Sequence, residues 1–240
     1  MAKRKRFVYY QTMTAQLDLS RLARTVGGPT RIRMLTLLMD GRAATAKELA
    51  YGTGVDPATA TFHLRRLTED GLLESTTQGR FKYFRFASPD AAKVLESLMV
   101  MAQPAPAAAR GDEHDPIRVA RFCYDHLAGR LGTHLTKTLI ARRWLLAAQK
   151  DLTPTPTGEA ELGRFGVDVA ALRRGRRALA YRCLDWSERQ DHLAGALGAA
   201  LAERMIALGW IARKPDSRVV RITEPGRRGL ARRFGVSVGQ

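Results

Sequence analysis

Residues 27–86 read GGPTRIRMLTLLMDGRAATAKELAYGTGVDPATATFHLRRLTEDGLLESTTQGRFKYFRF, and the punctuation of this stretch decides the fold. From Pro29 to Asp40, Ile32, Leu35, Leu37 and Leu38 recur at helical spacing, and Gly41 stops the helix. Thr45 with Glu48 forms a T-x-x-E capping box that opens a second helix, which Gly54 closes. Asp56 and Pro57 supply an N-cap and a first-turn proline for a third helix, ended by Gly71. Two short helices around a tight glycine-containing turn predict a helix-turn-helix. Beyond Gly71 the period changes. LLESTT and RFKYFRF are extended, aromatic-rich segments around Gln78-Gly79, which predicts a β-hairpin carrying Arg80, Lys82 and Arg85 as a basic wing. Residues 88–101 read as a closing helix.

At 100° per residue the second helix of the pair buries Ala60, Leu64 and Leu67 and turns Thr59, Phe62, Arg65 and Arg66 outward, with Thr61 at the edge. An exposed Phe among threonines and arginines suits a DNA major groove. Phe62 and a threonine methyl can touch the thymine 5-methyl group, and arginine can reach guanine or phosphate. His63 flanks the buried stripe and reads as a half-buried residue touching phosphate rather than a base. The competing reading packs Phe62 under a loop and leaves the arginines merely solvated; the adjoining wing weighs against it.

The same stretch resembles the winged helix-turn-helix of the ArsR family of bacterial transcriptional regulators. The residues that carry the resemblance are Pro29, Thr30, Arg31 and Ile32, then His63, Leu64, Leu67, Gly71 and Leu72, then Gly79, Arg80 and Tyr83. It covers about residues 17–101. It implies a homodimeric DNA-binding repressor, with the dimer made mainly by the first and last helices of this domain. Many metal-sensing members carry cysteines in the first helix of the pair, or His and acidic residues on the closing helix. Here AKELAYGTGV and SPDAAKVLESLM contain neither Cys nor His, so any effector is expected in the second half of the chain.

Composition agrees with a polyanionic partner. The 240 residues carry 40 Lys+Arg against 23 Asp+Glu, a net charge of +17, and their 45% hydrophobic content excludes a disordered basic tail. Two cysteines exclude a disulfide-stapled scaffold and fit a reducing compartment. The opening MAKRKR has a signal-like charge, but Tyr9, Tyr10, Gln11 and Thr12 follow where an apolar stretch is required, and no run of about 18 apolar residues occurs. A soluble cytoplasmic protein with no membrane partner is expected. Neither a Gly-rich phosphate loop nor a G-x-S-x-G or H-E-x-x-H motif is present, so an enzyme is not expected. The rival to a sequence-specific regulator is a nonspecific architectural nucleic-acid binder.

The expected organisation is a basic arm (1–16), the winged helix-turn-helix (17–101), a Pro- and Ala-rich linker (102–115) and a duplicated C-terminal domain (116–240). Residues 1–101 and 102–240 are both basic, at +7 and +10, so charge alone does not say which half holds DNA. The fold class is mainly α with small β-hairpins. DHLAGRLG at 125–132 recurs as DHLAGALG at 191–198, and TGEAELGRFGVDV at 157–169 recurs as PGRRGLARRFGVSV at 225–238. Tandem winged-helix-like units of about 116–170 and 180–240 follow, each opening on a long amphipathic helix.

Glycines interior to that helix need a reason, because each costs about 1 kcal/mol relative to Ala. Either the two helices cross tightly at Gly129, Gly132, Gly195 and Gly198, or the glycines line a small-molecule crevice bordered by Asp185 and Trp186. Ser187 and Gln190 read as a capping box, leaving Asp185 and Trp186 in the entering loop. Cys123 and His126 sit at i and i+3 on one helix, and Cys183 lies nine residues before His192. A pseudo-twofold axis brings two thiols and two imidazoles together, a ligand set for Zn²⁺ or another thiophilic metal. Thiol redox sensing and inert packing are the alternatives, and the cofactor stays unknown. The arginines of RRGRRALAYR (173–182) are either a solvated helix face or a second grip on DNA phosphate.

Overall fold

The computed structural model describes residues 18–102, 114–215 and 217–237. The basic arm and most of the linker therefore lie outside the described residues. The chain divides into two compact units, Met1–Leu95 and Glu96–Gln240. The division falls inside a helix and not in 102–115. Glu96 belongs to the second unit because its buried carboxylate accepts there from Arg218 and from the Cys123 thiol.

The first unit runs α1 (Leu19–Val26), α2 (Pro29–Leu37) with a 3-10 turn (Leu38–Asp40), β1 (Ala44–Thr45), α3 (Ala46–Thr53), α4 (Pro57–Glu69), β2 (Leu73–Gln78) and β3 (Phe81–Phe86). Helix α5 (Pro89–Met101) begins in it. The caps are those the sequence specifies. Glu48 N–H donates to Thr45 Oγ1 while Thr45 N–H donates to Glu48 Oε2, at 3.3 and 2.7 Å, and Gly54 ends α3 at φ 70°. Asp56 caps α4 by accepting from Thr59 N–H at 2.9 Å. β2 and β3 pair antiparallel from Leu73↔Phe86 to Gln78↔Phe81, and the two-residue β1 adds to β3, an edge too short to show any periodicity. Met34, Leu35, Leu38, Leu49, Leu64, Leu67 and Leu73 form the core. Each such burial stabilises by roughly 1.5–3 kcal/mol relative to exposure. Leu37, expected in that stripe, is exposed because α2 ends there and the tighter turn brings Leu38 and Met39 inward instead.

In the second unit α6 (Pro116–Val119) leads into β4 (Arg121–Cys123), β5 (His126–Ala128), α7 (Gly129–Ala141), β6 (Leu145–Ala148), β7 (Asp151–Pro154), α8 (Pro156–Phe165) and α9 (Val169–Arg173). The order hairpin, helix, hairpin, helix then recurs as β8 (Tyr181–Leu184), β9 (Asp191–Ala194), α10 (Gly195–Ala207), β10 (Ile211–Arg213), β11 (Val220–Ile222) and α11 (Glu224–Phe234). Strands β6 to β9 make one antiparallel sheet, and the other two hairpins are joined to each other by an isolated bridge, Arg121↔Val219, with Phe122 N–H donating to Arg218 O and Val220 N–H to Ala120 O. Trp144, Phe165, Trp210 and Phe234 interlock, mostly edge to face, among buried leucines from all four longer helices.

Two expectations are corrected. The HLA of the first motif and the DHLA of the second are strand, and the helix starts only at Gly129 or Gly195, whose φ of 73° and 89° turn the chain from strand to helix. Every residue of β4 and β5 is buried, so the alternation that marks a strand is missing from the sequence. The arginine run is not one helix face either, since α9 stops at Arg173.

Candidate functional site

Ala60, Leu64 and Leu67 seat α4 against the core and leave Thr61, Phe62 and Arg65 exposed, with Phe62 56% accessible. The Arg65 guanidinium lies 5.8 Å from the Phe62 ring centre and 3.6 Å from Glu69. On the wing, Arg80 and Lys82 are exposed, each over an aromatic ring, Phe81 at 5.1 Å and Phe84 at 5.6 Å. A cation held over a ring keeps its charge and loses few rotamers.

Three residues expected at this face are partly committed elsewhere. Thr59 is half-buried, and its hydroxyl and N–H both donate to Asp56, which holds that carboxyl below its usual value. Arg66 turns toward α1, with Nε 3.4 Å from Thr25 Oγ1 and 3.6 Å from Asp70. His63 Nδ1 faces Arg31 at 3.3 Å, and burial together with the Arg31 charge lowers its pKa. A neutral imidazole accepting from Arg31 is not a cationic phosphate partner. Sequence reasoning missed Asp70, which gathers Arg21 Nε at 2.5 Å and the Thr25 hydroxyl as well as Arg66. Burial alone raises its carboxyl, but the Thr25 and Arg21 hydrogen bonds and both guanidinium charges bring it below the normal range.

In the second unit, Cys123, His126, Cys183 and His192 come together with their ligand atoms all within 4.8 Å of one another. Cys123 and His126 do not share a helix face; they are partners across the β4–β5 hairpin, as Cys183 and His192 are across β8–β9. The His126 and His192 ring centres are 5.2 Å apart. Hydrogen bonding with Cys183 and burial push the Cys123 thiol up to about 11, the range of an unreactive thiol.

Behind His192 lies Asp185, fully buried, 3.2 Å from its Nδ1. Asp185 accepts from Arg121 Nη2 at 2.8 Å, Gly129 N–H at 2.7 Å and Ser187 N–H at 2.9 Å. Burial opposes the carboxylate, yet His192 and Arg121 hold it far below its ordinary value. Ser187 is thus a turn residue serving Asp185, and the predicted Ser187–Gln190 capping box does not form because α10 starts eight residues after Ser187. Trp186 stacks on the Arg121 guanidinium at 4.5 Å.

The glycine face is filled. A Cβ on Gly129 meets Arg118 O at 2.6 Å, and one on Gly195 meets Ala178 O and Leu179 O at 2.8 Å. Beside Gly132 and Gly198 the cavity measures about 10 Å³, room for one water at most. Nor do the two equivalent helices cross there: α7 packs on β9, and α10 on β5. Of the arginine run, Arg173 pairs with Glu159, Arg177 with Asp125 and Arg182 with Asp191, at 2.5, 3.0 and 3.4 Å. Among the described residues no helix is long and apolar enough to cross a membrane.

A family profile described as a helix-turn-helix domain matches residues 27–76, the span from the start of α2 into β2. The HTH-type transcriptional regulator YdfF of Bacillus subtilis, itself uncharacterised, is 38% identical over 223 residues, covering 92% of this chain and 99% of that protein. The HTH-type regulator Rv0324 of Mycobacterium tuberculosis is 32% identical over 89 residues, 37% of this chain and 39% of that one. Among solved structures, the homodimeric winged helix-turn-helix DNA-binding domain of Mycobacterium bovis Mb0332, a "possible ArsR-family transcriptional regulator", matches at 27% identity over 42% of this chain and 86% of that one, with a TM-score of 0.35. These relatives are regulators, not enzymes. With YdfF matched along nearly its whole length, the chain belongs to the family of helix-turn-helix-type transcriptional regulators.

Proposed function

We propose that the protein is a cytoplasmic, ArsR-like homodimeric repressor that reads a specific operator with Thr61, Phe62 and Arg65, helped at the phosphates by Arg80 and Lys82 of the wing. Thr59, His63 and Arg66 support that face from behind, through the cap and the contacts to Arg31 and α1. The observation that carries the reading is Phe62, 56% exposed on a helix whose opposite face is completely buried. An aromatic side chain left in water between Thr61 and Arg65 has a use against base edges and little use elsewhere.

The second unit is a tandem duplication of a winged-helix-like module, and it receives the signal that changes DNA binding. Matching parts support the duplication. Thr155 and Thr223 cap α8 and α11 by accepting from Gly158 and Gly226 N–H, and Gly166 and Gly235 end those helices in left-handed conformation. Both Gly158 and Gly226 fit a tryptophan carbonyl, that of Trp144 and of Trp210.

Footprinting on the protein's own promoter tests the reading. An inverted repeat with half-sites about one helical turn apart is expected. Arg65→Ala weakens binding there by roughly 5- to 150-fold, the equivalent of ~1–3 kcal/mol for one base contact. The net charge of +17 favours one rival, an architectural binder, which gives uniform protection, a steep salt dependence and no change of site preference in Arg65→Ala.

A further inference from the structure

Each imidazole of the cysteine-histidine cluster is built like a metal ligand. Nδ1 of His126 lies 3.2 Å from Asp125 Oδ1, and Nδ1 of His192 lies 3.2 Å from Asp185 Oδ2. Both Nε2 atoms are buried without a hydrogen-bond partner, in residues only 4% and 1% exposed, and Nδ1 of His192 stands near the Asp185 carboxylate without hydrogen-bond alignment. A carboxylate behind Nδ1 fixes the ring and its tautomer and makes the opposite nitrogen a better donor to a metal. Without a metal, three imidazole nitrogens lacking hydrogen bonds in one dry place are a standing cost.

We propose that Cys123, His126, Cys183 and His192 bind one Zn²⁺ ion in a closed four-ligand site, each hairpin giving one thiolate and one imidazole. Two sulfurs and two nitrogens are a tetrahedral zinc set, and they exclude the oxygen-seeking Mg²⁺ and Ca²⁺. Zinc bonds of about 2.3 Å to sulfur and 2.0–2.1 Å to nitrogen put the donors about 3.3–3.8 Å apart. The present limit of 4.8 Å needs a contraction of about 1 Å, within the reach of side-chain rotation.

The surrounding backbone leaves room for these ligands. A Cβ on Gly132 lies 3.3 Å from the His192 Cβ, and one on Gly198 lies 3.1 Å from the His126 Cβ. The closer constraint at each glycine is a strand carbonyl, Leu127 O at 2.3 Å and Leu193 O at 2.4 Å, and the other hairpin's histidine passes just beyond it. On binding, Zn²⁺ displaces both thiol protons to solvent, and the two thiolates neutralise the ion; nothing is oxidised or reduced. The Cys123 thiol proton now faces Glu96 Oε2 at 3.7 Å, and that carboxylate keeps Arg218 when the proton leaves. The metal clasps β4–β5 to β8–β9. Any effect of the clasp on DNA rests on the sensing reading above; metal binding itself does not.

The test uses the full chain, purified under reductant without chelator. About one zinc per chain is expected by elemental analysis. Chelator-stripped protein titrated with Co²⁺ should give the intense visible bands of a tetrahedral site with a thiolate-to-cobalt charge-transfer band, saturating at one ion per chain and bleached by Zn²⁺. Cys183→Ser should halve the charge-transfer intensity, and His126→Gln should weaken zinc at least tenfold. If either variant fails to fold, release of about two protons per zinc by wild-type protein near neutral pH decides the matter. Metal below about a tenth of an equivalent with no cobalt spectrum overturns the inference, as do two thiols that react at undiminished rate in saturating Zn²⁺. Failure to bind zinc or cobalt in protein that still protects the half-sites sinks this inference alone, whereas bound metal without half-site protection sinks only the operator reading.

Discussion

Each unit has its own aspartate hub, and the two hubs differ in how exposed their partners are. Asp70 collects Arg21, Thr25 and Arg66 at the edge of the first unit, where its own carboxylate is 4% exposed but its guanidinium partners are 44% and 42% exposed. Asp185 collects Arg121, Gly129 N–H, Ser187 and His192 in the interior of the second, where carboxylate and guanidinium are 0% and 1% exposed. The partner lists are alike in kind, so the difference in consequence comes from solvent. Water and salt stand ready to replace the Asp70 contacts, whereas nothing replaces those of Asp185.

Asp185→Ala should therefore have the largest effect. It leaves the Arg121 charge buried with Ile117 O and the Ser187 hydroxyl as hydrogen-bond acceptors and the Trp186 ring against its face, and strips the acceptor from Gly129 N–H. A loss of about 3–5 kcal/mol from the second unit is expected. All three tryptophans, Trp144, Trp186 and Trp210, lie in that unit, so urea unfolding followed by tryptophan fluorescence reads it separately from the first. A midpoint near wild type would mean that Asp185 is no more committed than Asp70.

Next come the glycines that hold the second unit's strands against its helices. Gly132→Ala drives a Cβ to 2.3 Å from Leu127 O, a backbone atom of β5 that has no rotamer to change. Roughly 1–3 kcal/mol of destabilisation follows from such overpacking, again read by tryptophan fluorescence. Gly163→Ala in α8 should have the opposite sign, because its Cβ meets nothing within 4 Å, and helix propensity then favours Ala by up to about 1 kcal/mol. Equal effects at the two positions would refute the claim that close approach, not helix propensity, explains Gly132.

The same contrast explains what could be read without coordinates. In the first unit, caps and turns are local, and Thr45, Glu48, Gly54, Asp56 and Gly79 each announce a boundary that the chain observes. The three inward positions of α4 follow from their spacing, and with them the exposed Phe62. In the second unit the decisive hairpin turns at Tyr124-Asp125, with Tyr124 at φ 63° and no Gly or Asn to mark it. Its strands are buried on both faces, so FCYDHLAG carries no period and reads as helix. The meeting of two cysteines with two histidines was nevertheless legible in the repeated HLAG, because like segments packed about a pseudo-twofold axis bring like residues together. The aspartate hubs were not legible, since both depend on partners more than 40 residues away in sequence.

Asp70→Asn is the smallest effect and the sharpest use of the comparison. Its partners are solvated, so the loss should be about 1 kcal/mol, less than a buried charge pair would give. The sign with pH follows from the lowered carboxyl. Its contribution is fully present above the unfolded value of about 3.9 and disappears as pH falls through the lower folded value. Hydrogen exchange in α4 peptides reports this unit without tryptophan. Wild-type protection of α4 should fall as the pH is lowered past 4, after correction for the intrinsic exchange rate, and the Asn variant should lose that dependence. Raising salt to about 1 M, where screening acts over about 3 Å, should bring wild type toward Asn at position 70 while the gap between wild type and Asp185→Ala stays open. A salt response of the same size in both pairs would mean that the exposure of the guanidinium partners does not separate the two aspartates.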